Sequence, residues 1–173
     1  IPVPNQYETI GLKKNGEELH VEISLFGFNS DDKTKFLVIW KDITDVKHKE
    51  TKLIESEERF KTIFTKANDG IILHHTDIRK PFIDCNEAAC KLLGYDKRDE
   101  LLGKTITDIS PRFQNDGELS KSAVKKRINE CIETGQSRFE WLHSKRDNSI
   151  VWIEVVLTSL SQNNHIYIHS LFR

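Results

Sequence analysis

Residues 145–157 read KRDNSIVWIEVVL, and residues 13–25 carry a second version of the same pattern, KKNGEELHVEISL. In both stretches a polar turn is followed by apolar residues at every second position. This alternation predicts a β-strand with one buried face. Residues 7–41 align with residues 139–173 without a gap, so the repeat extends over a whole structural unit.

Each copy of the repeat is predicted to form an antiparallel meander of three strands. The pairs Asn15-Gly16 and Asp147-Asn148 lie between alternating runs. Such pairs favour two-residue hairpin loops, because both loop positions adopt a positive φ. Polar loops at residues 29–32 and 162–164 then lead into a third strand.

Only the second copy follows a long segment of its own, over residues 57–137. Capping residues and helical spacing of apolar residues divide this segment into short elements. The predicted elements are strands over 71–74 and 80–84, a helix between Asn86 and Gly94, a second between Asp96 and Gly103, and a longer helix over 119–134.

This order of elements, together with two stretches of sequence, resembles the PAS sensory domain family. DCNEAACKLLGYDKRDELLGK (84–104) is similar to the family's central helical signature, and FEWLHSKRDNSIVWIEV (139–155) to its closing PAC strands. Asp42-Ile43-Thr44 resembles the family's exit from the last strand into a signalling helix. The resemblance implies an α+β fold in which a five-stranded antiparallel sheet carries helices on one face.

The resemblance also implies a domain organisation. Residues 58–173 are expected to form a complete PAS domain, residues 1–44 the C-terminal meander of a partial one, and residues 45–66 a helical linker. A lone three-stranded sheet buries its apolar face poorly. We therefore expect the linker helix, the second domain or a partner chain to cover the first meander. The chain is identified as a tandem-PAS fragment of a bacterial or archaeal signal-transduction protein.

Composition narrows the class of protein. Charged residues make up 31% of the 173 residues and the net charge is −1, so no electrostatic reason exists to expect a nucleic-acid partner. No apolar run reaches the length of a membrane span, although the parent protein could be anchored elsewhere. Cys85, Cys90 and Cys131 show no paired spacing, which indicates reduced thiols in a cytoplasmic protein. Cys90 and Cys131 are predicted to be small core residues.

No catalytic or metal-binding constellation is predicted. The adjacent His74 and His75 are interpreted as solvated histidines in or beside a turn, and His143, His165 and His169 are scattered over the closing strands. The segment is therefore not expected to be an enzyme. Its parent is expected to be a signalling enzyme, either a histidine kinase or a cyclic-dinucleotide enzyme.

The resemblance implies a pocket between the inner face of the sheet and the helices. The light-sensing flavin branch has a reactive cysteine in an Asn-Cys-Arg tripeptide, which this sequence lacks. A common haem branch uses a histidine on the long helix, and residues 119–134 contain none. Haem bound through another histidine and a non-covalent flavin stay open but are disfavoured. A small metabolite, or a filled core without a cofactor, is expected instead. The candidate lining residues are Leu73, Cys90, Leu93, Ile128, Glu140, Leu142, Ile153 and Val155.

The faces of the closing strands depend on the hairpin loop. With a two-residue loop, Leu142 faces Ile153, Glu140 points inward, and Trp141 and Trp152 lie on the outer face as interface candidates. A shift of one residue would reverse the faces of the strand over 139–144.

The linker carries a thin apolar seam, because Val46, Leu53 and Phe60 are seven residues apart. Ile43, Glu50, Glu57 and Phe64 fill the complementary positions. A weak coiled coil or a helix packed on a sheet is favoured over a stable zipper, and an inert spacer helix is the alternative. The chain is expected to form a homodimer. The chain is therefore predicted to be a sensory and dimerisation module that relays a cue to a downstream output domain. The alternative is a ligand-free protein-interaction scaffold.

Overall fold

The structure is a computed structural model that describes residues 5–30, without the side chain of Ser30, and residues 33–173. It divides into two compact units, residues 1–60 and 61–173. The first contains strands β1 (Asn5–Leu12), β2 (Glu18–Ser30) and β3 (Lys33–Asp42). Helix α1 (Thr44–Lys66) runs from the first unit into the second.

The second unit contains two strands and three helices of the central segment, followed by the closing meander. The elements are β4 (Gly70–His75), β5 (Asp84–Cys85), α2 (Glu87–Leu93), α3 (Arg98–Leu102), α4 (Ser120–Thr134), β6 (Gln136–Ser144), β7 (Ile150–Gln162) and β8 (His165–Phe172). All strand pairs are antiparallel, in the order β5-β4-β8-β7-β6. The core lies between the inner face of this sheet and helices α2–α4. The predicted α+β class and five-stranded sheet are confirmed.

The first unit is the predicted three-stranded sheet, in the order β1-β2-β3. Val21 and Ile23 are buried, like their repeat equivalents Ile153 and Val155. Strand β3 differs from β8, because Trp40 is 68% exposed whereas its equivalent Phe172 is 4% exposed. Much of the sheet face that the helices cover in the second unit is therefore exposed in the first unit. That another element or a partner chain covers this face of the first sheet stays a prediction.

Both first hairpin loops contain three residues, so the prediction of two-residue loops is wrong. The Lys13 N–H donates to the carbonyl of Glu17, and the Lys145 N–H to that of Ser149, each at 2.8 Å. The third loop position has a positive φ in both copies, 84° at Gly16 and 64° at Asn148. This is a type I turn followed by a left-handed residue. The side chain at the second loop position, Asn15 or Asp147, accepts a backbone N–H two residues on and stabilises it.

The longer loop shifts the pairing of β6 and β7 by one residue. Trp141, not Leu142, is paired with Ile153, and Glu140 is paired with Glu154. Because side chains alternate between the faces of a strand, this shift turns Trp141 inward, where it is 4% exposed. Glu140 is exposed and Leu142 half-buried, so the expected inward positions of both are corrected.

Asn86 begins α2 as predicted and also joins three elements. Its Oδ1 accepts the N–H of Ala89 at 2.9 Å, which caps the helix, and the N–H of Ile71 at 2.8 Å, which belongs to β4. Its Nδ2 donates to the carbonyls of Phe64 and Asp69. The last turn of α1 is thereby tied to the sheet and to α2 by one buried side chain. Gly94 ends α2 in the left-handed conformation, as predicted.

Candidate ligand cavity

A small cavity lies between the inner face of the second sheet and the helical layer. Its free volume is about 30 Å³, enough for one or two waters or a molecule of a few heavy atoms. The lining residues are Ile72, His74, Phe82, Ile106, Ile109, Val124, Ile128, Phe139, Trp141, His143, Val155, Leu157, Ser170 and Phe172.

The residues predicted to line a pocket divide into three groups. Ile128 and Val155 line the cavity. Cys90, Leu93 and Ile153 belong to the surrounding buried core and are set back from the cavity. The remaining three residues do not lie on the cavity wall: Leu73 and Leu142 are half-buried on the other face of the sheet, and Glu140 is exposed.

His74 is a buried residue of strand β4, so the prediction of a solvated turn histidine is wrong. Its side chain is 3% exposed. Nδ1 lies 2.8 Å from the carbonyl oxygen of His75, and Nε2 lies 2.8 Å from Oγ of Ser170. The strand continues through both histidines, and Ile72 and His74 share its inner face. The alternation of apolar residues, extended by one step, would have placed His74 inside.

His143 is the second buried imidazole of the cavity. Its Nδ1 lies 3.0 Å from the carbonyl oxygen of Ile109, and its ring lies 4.8 Å from the ring of Phe172 between centroids. Its Nε2 is fully buried and has no hydrogen-bond partner within the described protein. Sequence reasoning left His143 unassigned, because its face follows from the pairing of β6 with β7.

Burial keeps both imidazoles neutral at physiological pH. Removal from water lowers the pKa of His74 to about 4, and also that of His143 to about 4. A base with so low a pKa removes protons poorly near neutrality. The hydrogen-bonded pair of His74 and Ser170 is oriented by a backbone carbonyl instead of a carboxylate. It is therefore better suited to bind a molecule than to activate a nucleophile.

The cysteines are buried thiols, which confirms the core assignment of Cys90 and Cys131. Cys85 and Cys90 lie side by side, with their sulfur atoms 3.8 Å apart. Burial raises the pKa of the Cys85 thiol to about 12 and raises that of Cys90 as well. Over residues 5–30 and 33–173, no cluster of three histidine, cysteine or acidic side chains is placed to hold a metal ion.

The interface candidates differ in exposure. Trp141 is inside the domain, so its assignment to the outer face is wrong. Trp152 lies on the outer face and is 53% exposed. Val46, Leu53 and Phe60 are all exposed on α1, with Leu53 at 60%. None of the helices in the described part of the chain is long and apolar enough to span a membrane.

Both the sequence and the fold of the chain are similar to those of known proteins. The sequence profile described as PAS domain matches residues 3–45 and 68–173. Sporulation kinase E of Bacillus subtilis is 40% identical over 134 residues, which are 77% of this chain and 17% of that protein. The chain thus spans about a sixth of this curated relative.

Two solved structures share the fold. The PAS domain of an HTR-like protein from Haloarcula marismortui superposes with a TM-score of 0.59 at 24% identity, over 73% of this chain and 98% of that one. A domain of a sensory box sensor histidine kinase/response regulator from Geobacter sulfurreducens gives 0.53 at 23% identity, over 70% and 96%. The profile match covers both copies of the closing meander and the helical segment before the second copy, and on that ground the chain belongs to the PAS domain family of sensory domains.

Proposed function

We propose that the second unit senses a small molecule in its cavity and passes its state to helix α1. The observation that carries this proposal is the unpartnered Nε2 of His143, a buried residue that lines a mostly apolar cavity. A buried acceptor without a partner costs free energy, about 1–3 kcal/mol, which a bound hydrogen-bond donor would recover. An interior that served only to fill space would place an apolar side chain there.

A continuous set of contacts connects the cavity to the end of α1. Phe172 lines the cavity, and the next residue, Arg173, donates from Nε to the Asp69 carboxylate at 2.8 Å. The carbonyl of Asp69 accepts from Asn86, which also donates to the carbonyl of Phe64 in the last turns of α1. A ligand that displaces Phe172 would therefore act on the end of the helix.

The N-terminal end of α1 is also held by hydrogen bonds, within the first unit. The Asp42 carboxylate accepts the N–H of Thr44, the first residue of the helix. The hydroxyl of Thr44 accepts the N–H of His20, and the His20 carbonyl accepts the N–H of Ile43. Because both ends are anchored, a rotation or shift of α1 would be transmitted instead of dissipated.

We further propose that α1 pairs with α1 of a second copy along the seam of Val46, Leu53 and Phe60. None of the residues of α1 is buried within the chain, and Val46 and Leu53 expose about half or more of their surface. The similarity to a sporulation kinase supports a histidine kinase parent in the cytoplasm of a bacterium or archaeon. Its output domain would lie elsewhere in the same chain.

A cysteine introduced on α1 tests both the pairing and the relay. The native thiols are buried, so a Leu53→Cys variant presents a single exposed thiol. We expect this variant to oxidise rapidly to a disulfide-linked dimer. Native mass spectrometry of the purified protein would detect a bound molecule, and we expect the oxidation rate to change several-fold when that molecule is removed.

The matched control is Thr51→Cys, which lies on α1 outside the seam. Equal cross-linking of the two variants would contradict the pairing. A cross-linking rate that is the same with and without the bound molecule would contradict the relay. If native mass spectrometry detects no bound molecule and no added small molecule enters the cavity, the sensory proposal fails.

The exposed Trp152 favours the second candidate function, a protein-interaction scaffold. Exposed tryptophans on a sheet face are common at protein interfaces. We expect Trp152→Glu to weaken self-association of the chain by at least tenfold in light scattering, while Ile150→Glu, at the end of the same strand, has a smaller effect. Unchanged association of the Trp152 variant would remove this face from the interface.

A further inference from the structure

We propose that the cavity binds a small uncharged molecule that donates one hydrogen bond, from a hydroxyl or amino group, to Nε2 of His143. The rest of the molecule would be short and apolar. This inference rests on the proposed sensory function and adds the chemical class of the ligand.

The tautomers of both histidines follow from their backbone partners. A carbonyl oxygen only accepts hydrogen bonds, so the nitrogen facing it must carry the proton. Nδ1 of His143 therefore donates to Ile109, and Nδ1 of His74 donates to His75. In a neutral imidazole the other nitrogen is then a bare acceptor. Nε2 of His143 is thus a buried acceptor without a partner, on a side chain that lines the cavity.

In the other polar side chains of the cavity wall, every hydrogen-bond donor is already used within the protein. Since Nε2 of His74 is an acceptor, the Ser170 hydroxyl donates its hydrogen to it. The indole N–H of Trp141 donates to the hydroxyl of Ser110 at 3.1 Å. The remaining lining side chains are hydrocarbon. The side chains of the wall therefore offer lone pairs, on His143 and on the oxygen of Ser170, and a bound molecule must supply the hydrogen.

Charge complementarity selects against ions. The lining contains no lysine, arginine or acidic side chain, so an anion or cation would lose its hydration without gaining a counter-charge. Burial keeps both imidazoles neutral, so neither can pair with a carboxylate at physiological pH. The body of the ligand would lie against hydrocarbon such as Ile128, Val155 and Phe172.

Three probes of nearly equal size separate the chemistry. 1-Propanol donates one hydrogen bond, ethyl methyl ether only accepts, and propionate is an anion. The full chain, labelled with ¹⁵N on histidine and ¹³C on methyl groups, would be titrated with each probe near pH 7.5. We expect 1-propanol to move the His143 Nε2 resonance in the direction of an accepted hydrogen bond, and to bind about tenfold more tightly than the ether or propionate.

A variant makes the same comparison by substitution. His143→Phe keeps a ring of similar size and removes the acceptor, so 1-propanol should bind about tenfold more weakly and lose its advantage over the ether. The control, His165→Phe, replaces an exposed histidine outside the cavity and should leave binding unchanged. The resonance in the unsubstituted chain provides the answer even if the variant fails to fold.

Each other result has one meaning. The ligand class is contradicted if the alcohol and the ether bind equally, or if propionate binds more tightly. It is also contradicted if 1-propanol leaves the Nε2 resonance unmoved because a resident water already donates to this nitrogen. In each of these cases a probe that enters the cavity still supports the sensory proposal. If the methyl resonances of Ile128 and Val155 respond to none of the probes, the cavity is closed to small molecules and the sensory proposal fails as well.

Discussion

Lowering the pH from about 7.5 to about 5 is expected to destabilise the chain by about 4 kcal/mol, through the two buried histidines of its cavity. The folded state keeps His74 and His143 neutral, because burial lowers each pKa to about 4. In the unfolded chain each imidazole takes up a proton near its usual pKa of about 6.5.

The sign follows from the proton balance. Below about pH 6.5 the unfolded state binds more protons than the folded state, so acid favours unfolding. The stability contributed by the neutral histidines is complete above that pH and is lost as the pH falls towards about 4. Most carboxylates are still ionised at about pH 5, so this window isolates the histidines. Half-buried His169, whose pKa burial also lowers, adds in the same direction.

Urea unfolding at a series of pH values, followed by the fluorescence of the buried Trp141, measures this effect. His143→Phe should remove slightly less than half of the pH dependence, because His74 and, to a smaller extent, His169 still contribute. Asn68→Ala, a change at an exposed position without a titratable side chain, should leave the pH dependence unchanged. A variant lacking both buried histidines that kept the full dependence would contradict this assignment.

Replacement of Asn86 is expected to cause the largest loss of stability from a single side chain of the second unit. Asn86→Ala removes all four hydrogen bonds of a side chain that is 2% exposed. Two N–H groups and two carbonyls then lose their partner. Allowing for partial access of water, we expect about 4 kcal/mol less free energy of unfolding. Chemical denaturation of the full chain is the measurement.

Asn86→Asp separates the two functions of the side chain. The carboxylate still accepts from Ile71 and Ala89, but it cannot donate to Phe64 and Asp69 and places a charge beside their carbonyls. We expect this variant to keep the cap of α2 while the last turn of α1 exchanges its amide hydrogens faster. Asn68→Ala, an exposed neighbour, is the control and should be neutral. Equal stability of Asn86→Ala and Asn68→Ala would show that this hydrogen-bonded junction does not stabilise the domain.

The boundaries of α2 are predictable from the sequence because local interactions set them. An asparagine that caps α2 and a glycine in the left-handed conformation at its end act within one turn of the helix. The expected start of α3 at Asp96 is wrong, because the helix begins at Arg98 after Lys97, which forms no side-chain cap. The start of α4 was predicted one residue early, at Leu119 instead of Ser120. The strands of the repeat were equally clear, because alternation with a period of two is a local property of the sequence.

Which side chains of β6 point into the core was harder to predict from the sequence. The pair Asp147-Asn148 suits a two-residue loop, yet the Asp147 carboxylate accepts the Ser149 N–H and favours a three-residue loop. That one additional residue exchanges Trp141 with Leu142, and with it the interior with the surface. The error in the predicted lining, which included Glu140, follows from this turn alone.

Most strands and helices, the repeat and the family follow from spacing and capping within short segments, which the sequence records. The strand expected over 80–84 is wrong in extent, because only Asp84–Cys85 pairs with β4. The chemistry of the cavity depends instead on tertiary contacts. His143 meets the carbonyl of Ile109, and His74 meets Ser170, across large separations in the chain. These contacts determine which imidazole nitrogens carry protons, and they leave Nε2 of His143 without a hydrogen-bond donor. A local sequence pattern cannot predict them, because folding brings the partners together from distant parts of the chain.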